Sequence, residues 1–205
     1  MSQNIFLKIL GYLVLHESGE NNLLNNCHFF GISSISSMVA LAILAKRFNT
    51  DITFDSSSYA VGRYRKYFIP GSVNQYFIMN RSKSCNIKDP ICNCPVCRNI
   101  KVEELYDQDN WYTEVLFYLH NIYQTIEMNK RINILADDME LLSTFSDFLG
   151  VRKIFDTVNH IIDLYEKSSA ENVFNTFSII DRKLFMYKCK SLTQLTSNVK
   201  NLGSY

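Results

Sequence analysis

The pattern of apolar and polar positions predicts two helices and two strands in alternation over the first 55 residues. Apolar runs bounded by polar turns separate these elements, and serines stand where the second helix begins. Helix, strand, helix, strand at this spacing is typical of a parallel α/β fold. The predicted elements are a buried helix over residues 5–15, a polar turn over 18–26, a short buried strand from Cys27 that Gly31 ends, a helix from a cap at Ser33 or Ser34 to about Phe48, and a strand over 51–55.

The pattern changes after residue 55. Aromatic segments at 67–69 and 75–79 flank Pro70 and Gly71, which predicts a hairpin. A cysteine-rich loop comes next. Apolar residues at helical spacing then predict a long helix over about 109–135 and further helices over 139–200.

Composition restricts the class of protein. The 21 Lys and Arg residues balance 20 Asp and Glu residues, so any nucleic-acid contact must come from a local patch. The longest apolar stretches, such as residues 38–45, are too short to span a bilayer, and we expect no membrane partner. Six Cys residues without a secretory signal indicate a reducing compartment, so we expect a cytoplasmic protein.

A cluster of thiols supplies the clearest chemical signal. Cys92, Cys94 and Cys97 lie within six residues, and His120 follows 23 positions after the last of them on the predicted long helix. Three sulfurs and one imidazole are the ligands of a closed tetrahedral Zn²⁺ site, which holds structure and leaves no position open for catalysis. Buried hydrophobic thiols, or one disulfide with a spare cysteine, are the alternatives that this spacing leaves open.

Together with this cluster, three other blocks of sequence resemble the tRNA-guanine transglycosylase family, in particular its archaeal-type branch and DNA 7-deazaguanine transglycosylases. The resemblance covers roughly residues 1–150. The four blocks are, in chain order, His28-Phe29-Phe30-Gly31, the run from Phe54 to Ala60 (FDSSSYA), the run from Cys92 to Cys97 (CNCPVC), and His120-Asn121-Ile122-Tyr123.

The resemblance implies the C-terminal portion of a TIM-type (β/α)₈ barrel, with an inserted zinc-binding subdomain and a helical C-terminal tail. On this interpretation the strands at Cys27 and Asp51 are the seventh and eighth of the barrel. The implied division is residues 1–60 for the last βα units, 61–108 for the zinc insertion, 109–150 for the closing helix and its extension, and 151–205 for the helical tail.

The family exchanges a guanine in tRNA or DNA for a 7-deazaguanine base, and Asp55 matches its nucleophile. A carboxylate close to C1′ captures the oxocarbenium-like centre as a covalent intermediate, as in a retaining glycosidase. Asp55 also follows a predicted parallel strand, where barrel enzymes place their chemistry. The residues alone leave open that Asp55 simply caps the turn after its strand.

Substrate contacts are expected at four further residues. Gly31 matches a glycine where the family's backbone approaches the bound base, and Phe30 would stack on that base; a Phe at a strand end is also an ordinary core residue. Arg63 and Arg65 lie in the densest basic and aromatic cluster of the chain. Such a cluster contacts phosphate or forms a solvated loop face.

The first six strands of the family's barrel have no counterpart in this chain, and the family's general acid/base aspartate lies in that part. We therefore expect the chain to be incomplete on its own. One hypothesis is an enzyme component that works with a partner chain carrying the N-terminal half, or as a homo-oligomer. The other is a non-catalytic, zinc-stabilised scaffold or truncated remnant. An unrelated zinc-knuckle adaptor fits the cysteines but leaves residues 54–60 unexplained.

Overall fold

The computed structural model describes residues 5–19, 24–32, 34–55, 67–68, 77–78, 94–98 and 111–180. The chain divides into two compact units. The terminal unit comprises Met1–Asp55 and Val151–Tyr205, and the central unit comprises Ser56–Gly150. The described part is mostly helical and carries a small two-stranded parallel sheet. The elements are α1 (Ile5–Glu17), β1 (Asn26–Phe29), α2 (Ile35–Phe48), β2 (Asp51–Phe54), β3 (Tyr67–Phe68), β4 (Phe77–Ile78), α3 (Trp111–Leu135), α4 (Met139–Phe148), α5 (Arg152–Lys167) and α6 (Ala170–Ile180).

Local sequence explains where α2 begins and ends. The Ser34 hydroxyl accepts a hydrogen bond from the Ser37 amide at 3.1 Å, which satisfies one of the free N–H groups of the first turn. At the other end Asn49 adopts a left-handed conformation with φ of 47° and donates its N–H to the Ala45 carbonyl. Of the two predicted caps, Ser34 is therefore the one that the structure uses.

The two strands of the terminal unit run parallel, as their alternation with helices predicts. Asn26 lies opposite Asp51 and Phe29 opposite Phe54. The prediction of a buried first strand is wrong, because exposed and half-buried residues alternate along it and His28 is among the exposed ones. A two-stranded ribbon with one face to solvent buries only alternate side chains.

The core of the terminal unit lies between helices. Ile9 and Leu13 of α1 are fully buried, as are Ile43 and Leu44 of α2. Helix α2 packs against α1 and α5, and α6 packs against α1 and α5. Apolar burial in these helices, rather than the small sheet, therefore supplies the main stabilisation of this unit.

The described part of the central unit is an antiparallel pair of short strands and a helical hairpin. Tyr67 pairs with Ile78 and Phe68 with Phe77, which confirms the predicted hairpin. Helix α3 begins within two residues of the predicted position, and α4 packs against it. The Asp138 carboxylate caps α4 by accepting from the amides of the first turn. None of the described helices is long and apolar enough to cross a bilayer.

Candidate functional site

The cysteine loop of the central unit forms a tight turn around one sulfur. The Cys97 and Arg98 amides both donate to the Cys94 carbonyl, at 3.1 and 3.0 Å. The Cys97 amide also lies 3.3 Å from the Cys94 sulfur, in position to donate an N–H···S hydrogen bond. Such a bond stabilises a thiolate more than a thiol, because the amide dipole interacts favourably with negative charge.

His120 brings its imidazole to the same sulfurs from helix α3. Its Nδ1 atom lies 3.3 Å from the Cys94 sulfur and 3.0 Å from the Cys97 sulfur. His120 is fully buried, and both cysteines are nearly so. The placement follows from helical periodicity, because Phe117 and Gln124 are buried on the same side of α3, one turn before and one turn after His120.

These three ligand atoms lie within 4.8 Å of one another, so one ion can contact all of them. With Zn–S near 2.3 Å and Zn–N near 2.0 Å, tetrahedral angles place sulfur and nitrogen about 3.5 Å apart. The observed separations are close to that value. Neither Cys94 nor Cys97 takes part in a disulfide, so the disulfide that the sequence left open does not involve them. Cys92, the fourth expected ligand, lies outside the described residues.

A second cluster forms in the terminal unit, at the carboxyl ends of β1 and β2. Asp55 directly follows β2, and its amide donates to the Phe29 carbonyl at 3.3 Å while its carbonyl accepts from the Ile32 amide at 2.8 Å. Its Oδ1 atom accepts from the Gly31 amide at 2.6 Å. The parallel ladder thus continues past the strands and fixes the carboxylate against the loop that follows β1.

Gly31 has the backbone that this loop requires. Its φ is +70°, a conformation that residues with a Cβ rarely adopt. A Cβ at Gly31 would meet nothing within 4 Å, so backbone conformation rather than crowding favours glycine there. The turn presents Phe30 to solvent with 68% of its surface exposed. Phe30 is therefore not a core residue, which was the ordinary alternative for it.

Two residues of this cluster at the strand ends were not predicted as site residues. The Nε2 atom of His28 lies 4.0 Å from Asp55 Oδ2. His28 also shares a 2.9 Å hydrogen bond with the Thr53 hydroxyl and packs edge-on against the Phe30 ring. Lys8 reaches the cluster from α1 and donates to the Phe30 carbonyl. The signal for Lys8 was its position as the single charged residue within the apolar run over residues 5–15.

The charges of the cluster influence one another. Burial lowers the pKa of the Lys8 ammonium, and the negative charge of Asp55 opposes that shift. The side chain of Asp55 is 53% exposed, so its carboxylate is accessible from solvent. The structure thus brings Phe30, Gly31 and Asp55 together, whereas Arg63 and Arg65 lie outside the described residues.

Comparison with known proteins gives no relative. No protein-family model, curated protein or solved structure matches this chain.

Proposed function

We propose that this chain is the C-terminal component of a transglycosylase that exchanges guanine for a 7-deazaguanine base in tRNA, with Asp55 as the nucleophile. The observation that carries the proposal is that the hydrogen bonds between β1 and β2 continue past the carboxyl ends of both strands. They bring Phe30, Gly31 and Asp55 together at that end of the sheet. Catalytic groups of parallel α/β folds lie at the carboxyl ends of strands. The same exchange on DNA is the closest variant of this function.

In the proposed reaction Asp55 Oδ2 attacks C1′ of the target nucleotide, and the C1′–N9 bond to guanine breaks with its electron pair on the base. The incoming deazaguanine then attacks C1′ through its equivalent nitrogen and releases the carboxylate, so configuration is retained. The Gly31 amide holds Oδ1 at 2.6 Å, which orients the other oxygen. Phe30, which is exposed beside it, supplies a stacking surface for a base.

The proposal places a structural zinc ion at Cys94, Cys97 and His120, with Cys92 as the fourth ligand. Burial of all three described ligands supports a closed site, because a catalytic zinc keeps one position open to water or substrate. The ion would tie the cysteine loop to α3 and take no part in base exchange.

The proposal also requires six further βα units, since two parallel strands cannot close a barrel of eight. These units would come from elsewhere in a longer polypeptide or from a partner chain. They would supply the proton donor and acceptor that the departing and entering bases need.

A non-catalytic, metal-stabilised scaffold is the second candidate. The observation that favours it is the same hydrogen bond between Asp55 Oδ1 and the Gly31 amide, because a carboxylate that closes a loop has a sufficient structural role.

An exchange assay distinguishes the two functions. Guanine-labelled tRNA or DNA is incubated with a 7-deazaguanine and the protein, with and without a polypeptide that supplies the other six βα units. We expect label release and a covalent adduct on denaturing gels, both abolished by Asp55→Asn. Asp51→Asn is the matched control, since Asp51 is an exposed carboxylate at the opposite end of the same strand. Equal exchange by Asp55→Asn and the parent protein would refute the assigned nucleophile.

The metal assignment has its own test. Elemental analysis of purified protein should give one zinc per chain, and Cys94→Ser should lower that content severalfold. Cys27→Ser is the control, because Cys27 is a half-buried thiol of the terminal unit and not one of the proposed ligands. Its thiol donates a hydrogen bond to the Leu24 carbonyl. Zinc well below one per chain in protein with reduced thiols would end this part of the proposal.

A further inference from the structure

A cleft of about 630 Å³ opens in the terminal unit where three helices end. Its walls come from the last residues of α1, α2 and α5 and from the residues that directly follow α2 and α5. None of these residues belongs to the cluster at the strand ends. The volume lies in the range of clefts that bind small molecules, so the charge and chemistry of the walls decide which molecule fits.

One wall of the cleft is aromatic. The centre of the Phe48 ring lies 4.8 Å from that of His16 and 6.0 Å from that of Tyr165. The Tyr165 hydroxyl shares a 2.9 Å hydrogen bond with His16 Nδ1. Because the three rings pack against one another, the wall is already formed without a ligand. The face of an aromatic ring attracts a cation through its quadrupole.

The charge around the cleft is negative. Each helix carries roughly half a negative elementary charge at its C-terminus, and three C-termini meet here. Glu17 and Glu166 add two carboxylates to the lining. Among the described residues, Arg47 is the only Lys or Arg that lines the cleft, since Lys46 and Lys167 of the same last turns do not.

Arg47 shows which charge the cleft stabilises. Its guanidinium donates to Glu166 at 2.6 Å and to Asp163 at 2.7 Å. Hydrogen bonding to Glu166 is the main cause of the raised pKa of Arg47; burial opposes the rise, and hydrogen bonding to Asp163 adds to it. An anion would have to displace these carboxylates from Arg47. Two carboxylates around one guanidinium leave a net negative charge, so a second cation is the better ligand.

Glu17 is placed to receive that cation. Its Oε2 atom accepts from the Ala170 amide at 3.1 Å, which holds the carboxylate beside the cleft. No described residue donates a hydrogen bond to the other oxygen. Burial is the main cause of the raised pKa of Tyr165, and the negative charge of Glu17 adds to it, so the carboxylate lies near the aromatic wall.

We propose that this cleft binds a small organic ammonium ion, with its charge between the Glu17 carboxylate and the aromatic wall. The carboxylate accepts a charge-assisted hydrogen bond from the ammonium, and the Phe48 and Tyr165 rings contact the charge and the methylene groups beside it. A neutral molecule of the same shape lacks the charge, and an anion is repelled. This inference does not depend on the proposed base exchange.

A series of three probes with similar carbon chains tests the charge. Butylammonium, butan-1-ol and butyrate are titrated into the metal-loaded full chain at constant ionic strength, and the NMR signals of the Phe48 and Tyr165 rings are followed. We expect saturable shifts with butylammonium, weaker binding of butan-1-ol and the weakest binding of butyrate. Equal affinity for the three probes, or no saturable shift of these rings with butylammonium, overturns the proposal.

Removal of one carboxylate tests the position. Glu17→Gln should weaken butylammonium binding at least about threefold, while the amide oxygen can still accept from the Ala170 N–H. Glu171→Gln is the matched control, because Glu171 is an exposed carboxylate of the same unit that does not line the cleft. Equal affinity of the two variants overturns the assignment of Glu17.

Charge reversal at the same position gives a second readout. Glu17→Lys changes the charge of the cleft by two, so butyrate should bind more tightly than butylammonium in this variant. Helicity measured by circular dichroism shows whether each variant folds, and the probe series on the parent protein does not depend on any variant. A folded Glu17→Lys protein that still prefers butylammonium would contradict the proposed site.

Discussion

The two clusters of chemically active residues contrast in their exposure. In the central unit, Cys94, Cys97 and His120 are buried and converge on one point. In the terminal unit, Asp55 and His28 lie half-open to solvent and are positioned by backbone hydrogen bonds. Burial prevents a dissolved molecule from reaching Cys94, Cys97 and His120, whereas the exposed side chain of Asp55 is accessible to one. The first cluster is thus placed to hold an ion, and the second is accessible to a molecule in solution.

The two units also contrast in what stabilises them. The terminal unit packs four helices around fully buried aliphatic residues, including Ile43 and Val158. The described part of the central unit buries fewer aliphatic residues and gathers polar ones instead, with Thr113, His120 and Asn121 all buried on α3. Buried polar groups add little net stability, so a metal ion held by Cys94, Cys97 and His120 would contribute more to the central unit than to the terminal one.

Metal removal should give the largest effect and should separate the two units. Structural zinc contributes on the order of 10 kcal/mol of apparent binding energy in small domains. Chelation, or Cys94→Ser, should therefore increase hydrogen exchange across α3 while α1 and α2 stay protected. Hydrogen–deuterium exchange read by peptide measures this directly. Unchanged α3 protection in protein shown to be metal-free would remove the contrast between the units.

Truncation of a core residue in the terminal unit should destabilise that unit and leave the metal site of the central unit unchanged. Ile43 is fully buried in α2, and Ile43→Ala should lower the free energy of unfolding of the terminal unit by about 2–5 kcal/mol. Ile43→Val should lower it by about 0.5–1.5 kcal/mol, because the loss of stability increases with the volume of the side-chain atoms removed. Urea unfolding followed by exchange in α1 and α2 measures it. Loss of metal in Ile43→Ala at low urea would contradict separate stabilisation of the units.

Removal of the Asp55 carboxylate should have a moderate effect. Asp55→Ala loses a charge-assisted hydrogen bond to the Gly31 amide, at a cost of about 1–2 kcal/mol after allowance for its exposure. Asp51→Ala should change stability by less than about 0.5 kcal/mol, because Asp51 is exposed at the other strand end. The difference in urea midpoints measures how much of Asp55's role is structural. Equal midpoints would leave catalysis as the only role proposed for it.

Alkaline pH should have the smallest effect, and among the described residues the tyrosines with shifted pKa values lie in the terminal unit. Burial raises the pKa of Tyr165, whose hydroxyl lies 2.9 Å from His16 Nδ1, and burial also raises that of Tyr12. A raised pKa adds stability that is complete below about pH 10 and is lost as pH rises through the folded value. The lowered pKa of Lys8 acts in the opposite direction, with stability lost as pH falls through its folded value.

The titration of Tyr165 should appear in the slope of the free energy of unfolding against pH. Tyr165→Phe should flatten the decline above about pH 10 relative to the parent protein. Urea unfolding at several pH values between 9 and 11 measures the slope. An unchanged slope would mean that Tyr165 does not titrate differently in the folded state.

Much of the fold was predictable because local signals agreed with one another. The serines before α2, the apolar run of α1 and the polar residues around β2 set their bounds within about two residues. The burial of β1 was predicted wrongly, because an apolar run of a few residues is equally compatible with a covered or an open sheet. His28 and Phe30 are exposed because, among the described residues, the parallel sheet has just two strands and no further strand covers them.

The sequence by itself indicated that Cys94, Cys97 and His120 form a group and that a carboxylate follows the second strand, since thiol spacing and an apolar strand followed by aspartate are local properties. It also determined that α3 has an uncharged stretch. Only the tertiary structure decided that Lys8 and His28 join Asp55, because 20 or more residues separate these positions. Parallel pairing of β1 with β2 brings His28 to Asp55, and Lys8 reaches the same place from α1. It likewise decided that His120 faces inward and Leu119 outward, which depends on how α3 packs rather than on which residues it contains.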